Sequence, residues 1–357
     1  MKKRFLALFL GAAMVFSMTA CGSSNTSTDT NADTSTDAVE ESADDAAEET
    51  ADTADSADTA DASGLKYAVI LKTQATDFWL TMWEGVETYA AENGLDVDLY
   101  AAQSDTDYEA QLAILENCIN SGEYAGIAIA PCSGVNMITG VKAANDAGIT
   151  VVNIDEQFDQ AEMESQGATC VGYVSSDNVA VGNLGATYIS SLLEEGSQVA
   201  IIEGIAGNAS SEDRASGARQ AFEDAGMEII GSQACDWDMQ KALDTAATWI
   251  TQYPDLKAIY CCNDGMAMGV MQAIANANKT GEILLCGTDG DADAIEAVAA
   301  GNMTATVAQD SANIGVVSLQ MLVDACENPD SYTASAAPEK TPVDAILVNS
   351  ENAADYQ

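Results

Sequence analysis

An α/β fold built from two open sheets of parallel strands follows from three features of the sequence. From about Gly64 to the C-terminus, short apolar runs alternate with amphipathic segments of helical length. The alternation recurs too often for one small sheet, and it lacks the eightfold count of a closed barrel. Glycines stand where several of the amphipathic segments stop, as C-caps do.

The elements follow in order. "YAVILK" is a strand, and "DFWLTMWEGVETYAAENG" is a helix closed by Gly94. "LDVDLYAA" alternates as a strand does, and "DYEAQLAILENCINSG" is a helix ending at Gly122. "GIAIAP" and "TVVNID" are strands flanking the helix "GVNMITGVKAANDAG". "CVGYVSS" leads into the helix "DNVAVGNLGATYISSLLEEG", and the strand "QVAIIEG" into "SSEDRASGARQAFEDAG". "MEIIGSQAC" precedes the helix "MQKALDTAATWITQYP", and "LKAIYCC" precedes "DGMAMGVMQAIANAN". "EILLCGTDG" and "TATVAQD" lead into the helices "ADAIEAVAAG" and "NIGVVSLQMLVDACE", and "VDAILVN" is a final strand.

In open parallel sheets, ligands bind beyond the carboxyl ends of the strands. Polar residues collect at those ends here. "VVNIDEQF" closes a buried strand on two adjacent acids, Asp155 and Glu156. Asn263 and Asp264 follow "YCC", Asp289 follows "LCGT", and Gln309 ends "TVAQ". Trp237 stands between Asp236 and Asp238, and the first strand leads to Thr76, Phe78 and Trp79. Carboxylates and amides that hydrogen-bond hydroxyls, with aromatic faces that cover C–H patches, are what a sugar requires. The plainer alternatives are N-caps for Asp264 and Asp177, and core positions for Phe78 or Trp79. Asp289, Asp291 and Asp293 lack the register of a calcium loop and read as helix N-terminal acids.

The N-terminus has its own logic. Lys2, Lys3 and Arg4 precede the apolar run "FLALFLGAAMVF", and small residues lead to Cys21 in "SMTAC". Residues 1–20 therefore read as a secretory signal, with Cys21 as the lipidated residue after cleavage. Acyl chains gain about 0.8 kcal/mol per buried CH₂, which would hold the chain on a membrane. Residues 21–63 then form an acidic tether without lysine, arginine or an aromatic residue. Such a composition cannot bury enough apolar surface to fold, and as a coil it would reach about 35–40 Å.

The chain carries 57 acidic and 12 basic residues, no histidine, and a formal charge of −45. That balance excludes a nucleic-acid surface. Without histidine, and without clustered cysteines, no metal site is expected, nor is any cofactor. Apart from Cys21, the cysteines lie in apolar contexts and read as buried free thiols rather than disulfides.

Residues from about 65 to 350 resemble the periplasmic-type sugar-binding proteins of the ribose-binding family, the solute receptors of ABC transporters. The resemblance rests on "GIAG" at 204–207, "DRASG" at 213–217, "DWD" at 236–238, "CNDGMAMG" at 262–269, "GTDGDADA" at 287–294 and "TATVAQD" at 304–310. It implies two similar doubly wound lobes, residues 64–176 plus 310–338 and residues 177–309 plus 339–357. They would be joined by a three-segment hinge near Ser175–Ser176, Gln309–Asp310 and Pro338–Pro342. It further implies a ligand shell of Thr76, Phe78, Trp79, Asp155, Glu156, Glu212, Trp237, Asn263, Asp289 and Gln309. Arg214 matches an arginine taken as structural. Glu156 and Glu212 stand where ribose-type members commonly carry arginines, so the mapped shell holds acids and no cation. On that count an amine-bearing or polyol ligand is the alternative to a simple sugar.

The function expected is that of a monomeric extracytoplasmic lipoprotein, of Gram-positive type, that passes a sugar or sugar-like molecule to an ABC permease. A receptor presenting ligand to a membrane sensor is the second reading. An enzyme is not expected, since histidine and a nucleophile elbow are both missing. A transcriptional regulator of the same architecture would need a basic helix-turn-helix where the signal and tether stand.

Overall fold

The computed structural model describes residues 64–356. The expected signal, Cys21 and the tether lie outside the described residues. The first lobe begins with β1 (Lys66–Leu71), α1 (Asp77–Glu92), β2 (Asp96–Ala101), α2 (Tyr108–Ser121) and β3 (Gly126–Ile129). It continues through α3 (Ile138–Asp146), β4 (Thr150–Ile154), α4 (Gln160–Gln166) and β5 (Gly172–Ser176). The second lobe follows with α5 (Asn178–Ser190), β6 (Gln198–Glu203), α6 (Ala209–Asp224), β7 (Glu228–Ala234), α7 (Met239–Gln252) and β8 (Leu256–Cys261). It is extended by α8 (Asp264–Asn276), β9 (Leu284–Asp289), α9 (Ala292–Ala299) and β10 (Ala305–Gln309). The chain then returns through α10 (Ser311–Glu327) and β11 (Lys340–Val343) before β12 (Ala345–Asn349).

Two six-stranded sheets result, in the orders β11-β5-β4-β3-β1-β2 and β12-β10-β9-β8-β6-β7. Every pairing is parallel except β10 with β12. The strand order reverses between β1 and β3 in one lobe and between β6 and β8 in the other. Ligand crevices open at such switch points. The alternation of β1 feeds both faces of its sheet. Tyr67, Val69 and Leu71 join one core with Met82, Val86 and Ile314, while Ala68 and Ile70 join the other with Leu115, Ile138 and Val141. The eight cysteines among the described residues are free, and seven of them are buried.

The chain crosses between lobes after β5, after β10 and after β11. The first crossing is fixed by Asp177, which caps α5 by accepting from the Ala180 amide at 3.2 Å. The second is fixed by Asp310, which caps α10 by accepting from Asn313, and α10 packs on α1 and β4 of the first lobe. The third departs from expectation. Residues 340–343 pair with Tyr173–Ser176 of β5, so they belong to the first lobe and the crossing falls at Asp344. "VDAILVN" is therefore not one strand. Pro342 is tolerated because β11 is an edge strand that pairs on one side only. The helix α4, absent from the sequence expectation, is too short to show a period; Asp159 caps it and Gly167, at φ 67°, ends it.

Candidate ligand-binding cleft

The strand ends of the two lobes face each other across a chamber lined by residues of both, at the edge where open parallel sheets bind ligands. From the first lobe, Lys72 continues β1 directly and is 3% exposed. Its Nζ lies 3.5 Å from Glu156 Oε2 and 5.5 Å from the centre of the Trp79 ring. Burial alone would lower the Lys72 ammonium; the Glu156, Asp155 and Asp105 carboxylates around it raise it above its ordinary value.

Trp79 and Phe78 open α1 and meet edge to face, with ring centres 4.9 Å apart. The Trp79 indole donates to Asp105 Oδ1 at 3.2 Å, which orients the ring. Thr76 is the N-cap residue of α1, but its side chain makes no capping bond, and it lines the chamber.

Asp155 follows β4 at φ 56°, in the left-handed region. The turn is held from beneath: Asn153 donates to the Glu156 carbonyl at 2.8 Å and accepts from the Phe158 amide at 3.2 Å. Tyr173 and Ser175 donate to the Asp155 carbonyl. The Asp155 side chain is thereby directed into the chamber, where its buried Oδ1 has no hydrogen-bond partner. Burial raises its carboxyl above the usual range, against the pull of Lys72 and Arg214.

From the second lobe comes Arg214, on α6. It donates to Asn178 Oδ1 at 2.8 Å, to the Cys262 carbonyl at 2.7 Å and to Asp289 Oδ1 at 3.1 Å. Its guanidinium carbon lies 6.0 Å from the Trp237 ring centre. The close approach of α6 to α5 fixes it. A Cβ at Gly217 would sit 2.0 Å from the Val179 carbonyl oxygen, and one at Gly182 would sit 1.9 Å from that of Arg214 itself. This gives "DRASG" its physical meaning. Arg214, held by these bonds, also lines the chamber.

Trp237 follows β7 on two consecutive left-handed residues, Asp236 and Trp237, at φ 56° and 59°. Its indole lies over Gly204, where a Cβ would come within 2.2 Å of the ring. Asn263 caps α8, accepting from the Met266 amide at 2.9 Å, so its NH₂ is what remains to offer a ligand. Asp289 ends β9 and accepts from Arg214 and, at 2.6 Å, from Gln309 Nε2. Burial pushes its carboxyl up to about 6, with Arg214 pulling the other way.

Three expected residues stand elsewhere. Glu156 has both oxygens engaged by α6, accepting from Ala209 N at 2.7 Å and from Ser210 Oγ at 2.6 Å. Glu212 is exposed and folds back to accept from the Gly207 amide. Gln309 meets the chamber only through Asp289, although its own buried Oε1 is unpartnered. Asp264 is no N-cap: it is fully buried and accepts from Gly290 N, Asp291 N and Thr306 Oγ1, holding the loop that carries Asp289.

The chamber also contains Lys72, Asp105 and Ser210, none of them anticipated. Lys72 obeys the rule that exposed the acids, a charged residue ending a buried strand. Asp105 and Ser210 sit in segments with no such signal. The mapped shell held acids and no cation, whereas Lys72 and Arg214 line the chamber. The acids Asp155 and Asp289 face the cations Lys72 and Arg214, and flat rings border both. Among the described residues no group of acids and cysteines could hold a metal ion. No described helix is long and apolar enough to cross a membrane.

Residues 67–330 match the family described as the periplasmic binding protein domain. The chain is 46% identical over 292 residues to the D-allose-binding periplasmic protein of Escherichia coli K12, covering 81% of this chain and 94% of that one. It is 32% identical over 257 residues to the D-ribose/D-allose-binding protein of Pseudomonas aeruginosa, covering 71% and 80%. A similar solved structure is an ABC transporter periplasmic solute-binding protein of Actinobacillus succinogenes with bound D-allose, at TM-score 0.75 and 27% identity, covering 82% of this chain and all of that one. The periplasmic ribose ABC transporter structure from Conexibacter woesei superposes at TM-score 0.71 with 26% identity, covering 82% and 94%.

Proposed function

We propose, from the premise that this chain belongs to the periplasmic binding protein family, that it captures a neutral monosaccharide between its lobes for an ABC importer. The observation that carries the reading is the unpartnered, buried Oδ1 of Asp155, in a chamber that offers both acceptors and donors. A hydroxyl group can donate to Asp155 and accept from Lys72, Arg214 or Asn263, whereas an ammonium can only donate. The two buried cations weigh against an amine-bearing ligand. The names of the relatives make D-allose the first sugar to try, with D-ribose second. Calorimetry with D-allose, D-ribose and glucosamine tests this. A neutral sugar should bind at least tenfold more tightly than glucosamine; tighter binding of the amine, or no binding of any sugar, would overturn the proposal.

The same reading makes Cys21 a lipid anchor on the outer face of the cell membrane, with a monomeric binding unit at the end of the tether. The apolar run before Cys21 and the uncharged small residues at the cleavage point support it. Fractionation of cells carrying Cys21→Ser should move the protein from membranes to the soluble or secreted fraction. Unchanged membrane association would end the anchor proposal.

A further inference from the structure

Helix α6 lacks a cap of its own. The residue in its N-cap position, Asn208, makes no side-chain capping bond, and a helix start leaves unpaired amides that must find acceptors. The acceptor comes from the other lobe. Glu156, in the turn after β4, accepts from Ala209 N at 2.7 Å and from Ser210 N at 3.4 Å, and the Ser210 hydroxyl donates to it at 2.6 Å. Its side chain is 2% exposed, and Lys72 Nζ lies 3.5 Å from Oε2.

We propose that Glu156 is an interlobe clasp: a first-lobe carboxylate that caps the second-lobe helix α6 only when the cleft is closed, and so sets ligand retention without touching the ligand. Charge-assisted bonds to a helix N-terminus are among the stronger hydrogen bonds available to a carboxylate. Opening the lobes would return Glu156 to water and leave the first turn of α6 uncapped. A protein that binds tightly only when closed has an apparent affinity scaled by the closed fraction. The clasp raises that fraction equally for every ligand the chamber accepts. Lys72 links the two functions, since it faces Glu156 on one side and lines the chamber on the other. Asp155, the neighbouring residue, points to the ligand space while Glu156 points to α6. The two acids that end β4 thus divide the work, one for recognition and one for closure.

The inference rests on the sugar-binding reading for its kinetic test. Stopped-flow release of D-allose and of D-ribose would be measured for the native chain, Glu156→Gln and Glu156→Ala. Loss of one charge-assisted contact set should speed release about 10–100-fold in the alanine variant. The factor should be the same for both sugars, with association rates nearly unchanged. The glutamine variant, which keeps one acceptor oxygen, should fall between. Unchanged release, or a loss confined to one sugar, would overturn the clasp. If neither sugar binds the native chain, the function proposal fails separately. The clasp is then decided by amide hydrogen exchange at Ala209 and Ser210 in protein saturated with whichever of xylitol, glycerol or myo-inositol raises its melting temperature. Slower exchange in the native chain than in Glu156→Ala supports it, and equal exchange overturns it.

Discussion

Trp237 shows how much backbone a single chamber-lining residue can require. Two consecutive non-glycine residues in the left-handed region cost of order 1–3 kcal/mol each, and the structure holds them there with the Asp236 amide donating to the Gly204 carbonyl at 3.1 Å and Asp238 capping α7. The outcome is an indole laid flat on Gly204, at the chamber wall and near Arg214. A flat ring there can stack on the C–H face of a sugar. Trp237→Ala should weaken D-allose binding by about 1 kcal/mol or more, roughly 5–50-fold, while the melting temperature moves little, because the ring is only half-buried. Calorimetry and a melting curve on the same sample check this. An unchanged affinity would make Trp237 a packing residue. The position was legible in the sequence as an aromatic between two acids at a strand end. Lys72 was equally legible by that rule. An ammonium that ends a buried strand carries the same message as a carboxylate.

At the scale of elements, strands and helices were legible wherever a period had room to repeat. β1 is buried along five of its six residues, as a central parallel strand should be, and its apolar run was plain. α4 spans seven residues, fewer than the periodic signal needs, and only its caps could have shown it. The single strand expected over 343–349 failed for a different reason. Val343 and Ala345 look alike as apolar residues, yet they pair with different sheets. Local composition has no term for the sheet that a strand joins. α6 makes the same point about function. Its motif "DRASG" was quoted from the sequence, but the role of its glycine emerged only from the approach to α5, which brings the Val179 carbonyl to the spot a Cβ would occupy. The arginine that this contact positions ties α6 to Asn178 and Asp289 and also lines the chamber.

At the scale of the whole molecule, buried acids and net charge act in the same direction. Burial pushes Asp264 up to about 8, with Asp289 adding to it, and pushes Asp291 up to about 9, with Asp289, Asp264 and then Asp77 of the facing lobe adding. Asp289 is pushed up to about 6. Each folded value lies above the unfolded value of about 4, so between those limits the folded chain holds protons that the unfolded chain has released. Stability should therefore fall as pH rises through that window, by about 1.4 kcal/mol per pH unit for each proton of difference. The formal charge of −45 at pH 7 adds self-repulsion that grows in the same direction. Asp98 works oppositely: hydrogen bonds from Tyr124 and Lys66 hold it below its ordinary value, so its contribution is lost only at more acidic pH. The melting temperature should be higher near pH 5.5 than near pH 8.5, by several degrees or more for each acid that keeps its proton in the folded chain. A flat or inverted profile by calorimetry would mean that the acid cluster is ionised in the folded chain. The sequence alone determined the two-sheet α/β architecture, the edge of the sheets at which the chamber lies, and most of the residue types gathered there. Those are properties of periodicity and of strand polarity, which are written locally. Only the tertiary structure decided the partner of each charge. Glu156 and Asp155 are adjacent in sequence and chemically alike, yet one caps a helix 53 residues further along the chain and the other faces the chamber. That division depends on which backbone amides arrive from the opposite lobe, and packing across the cleft sets it.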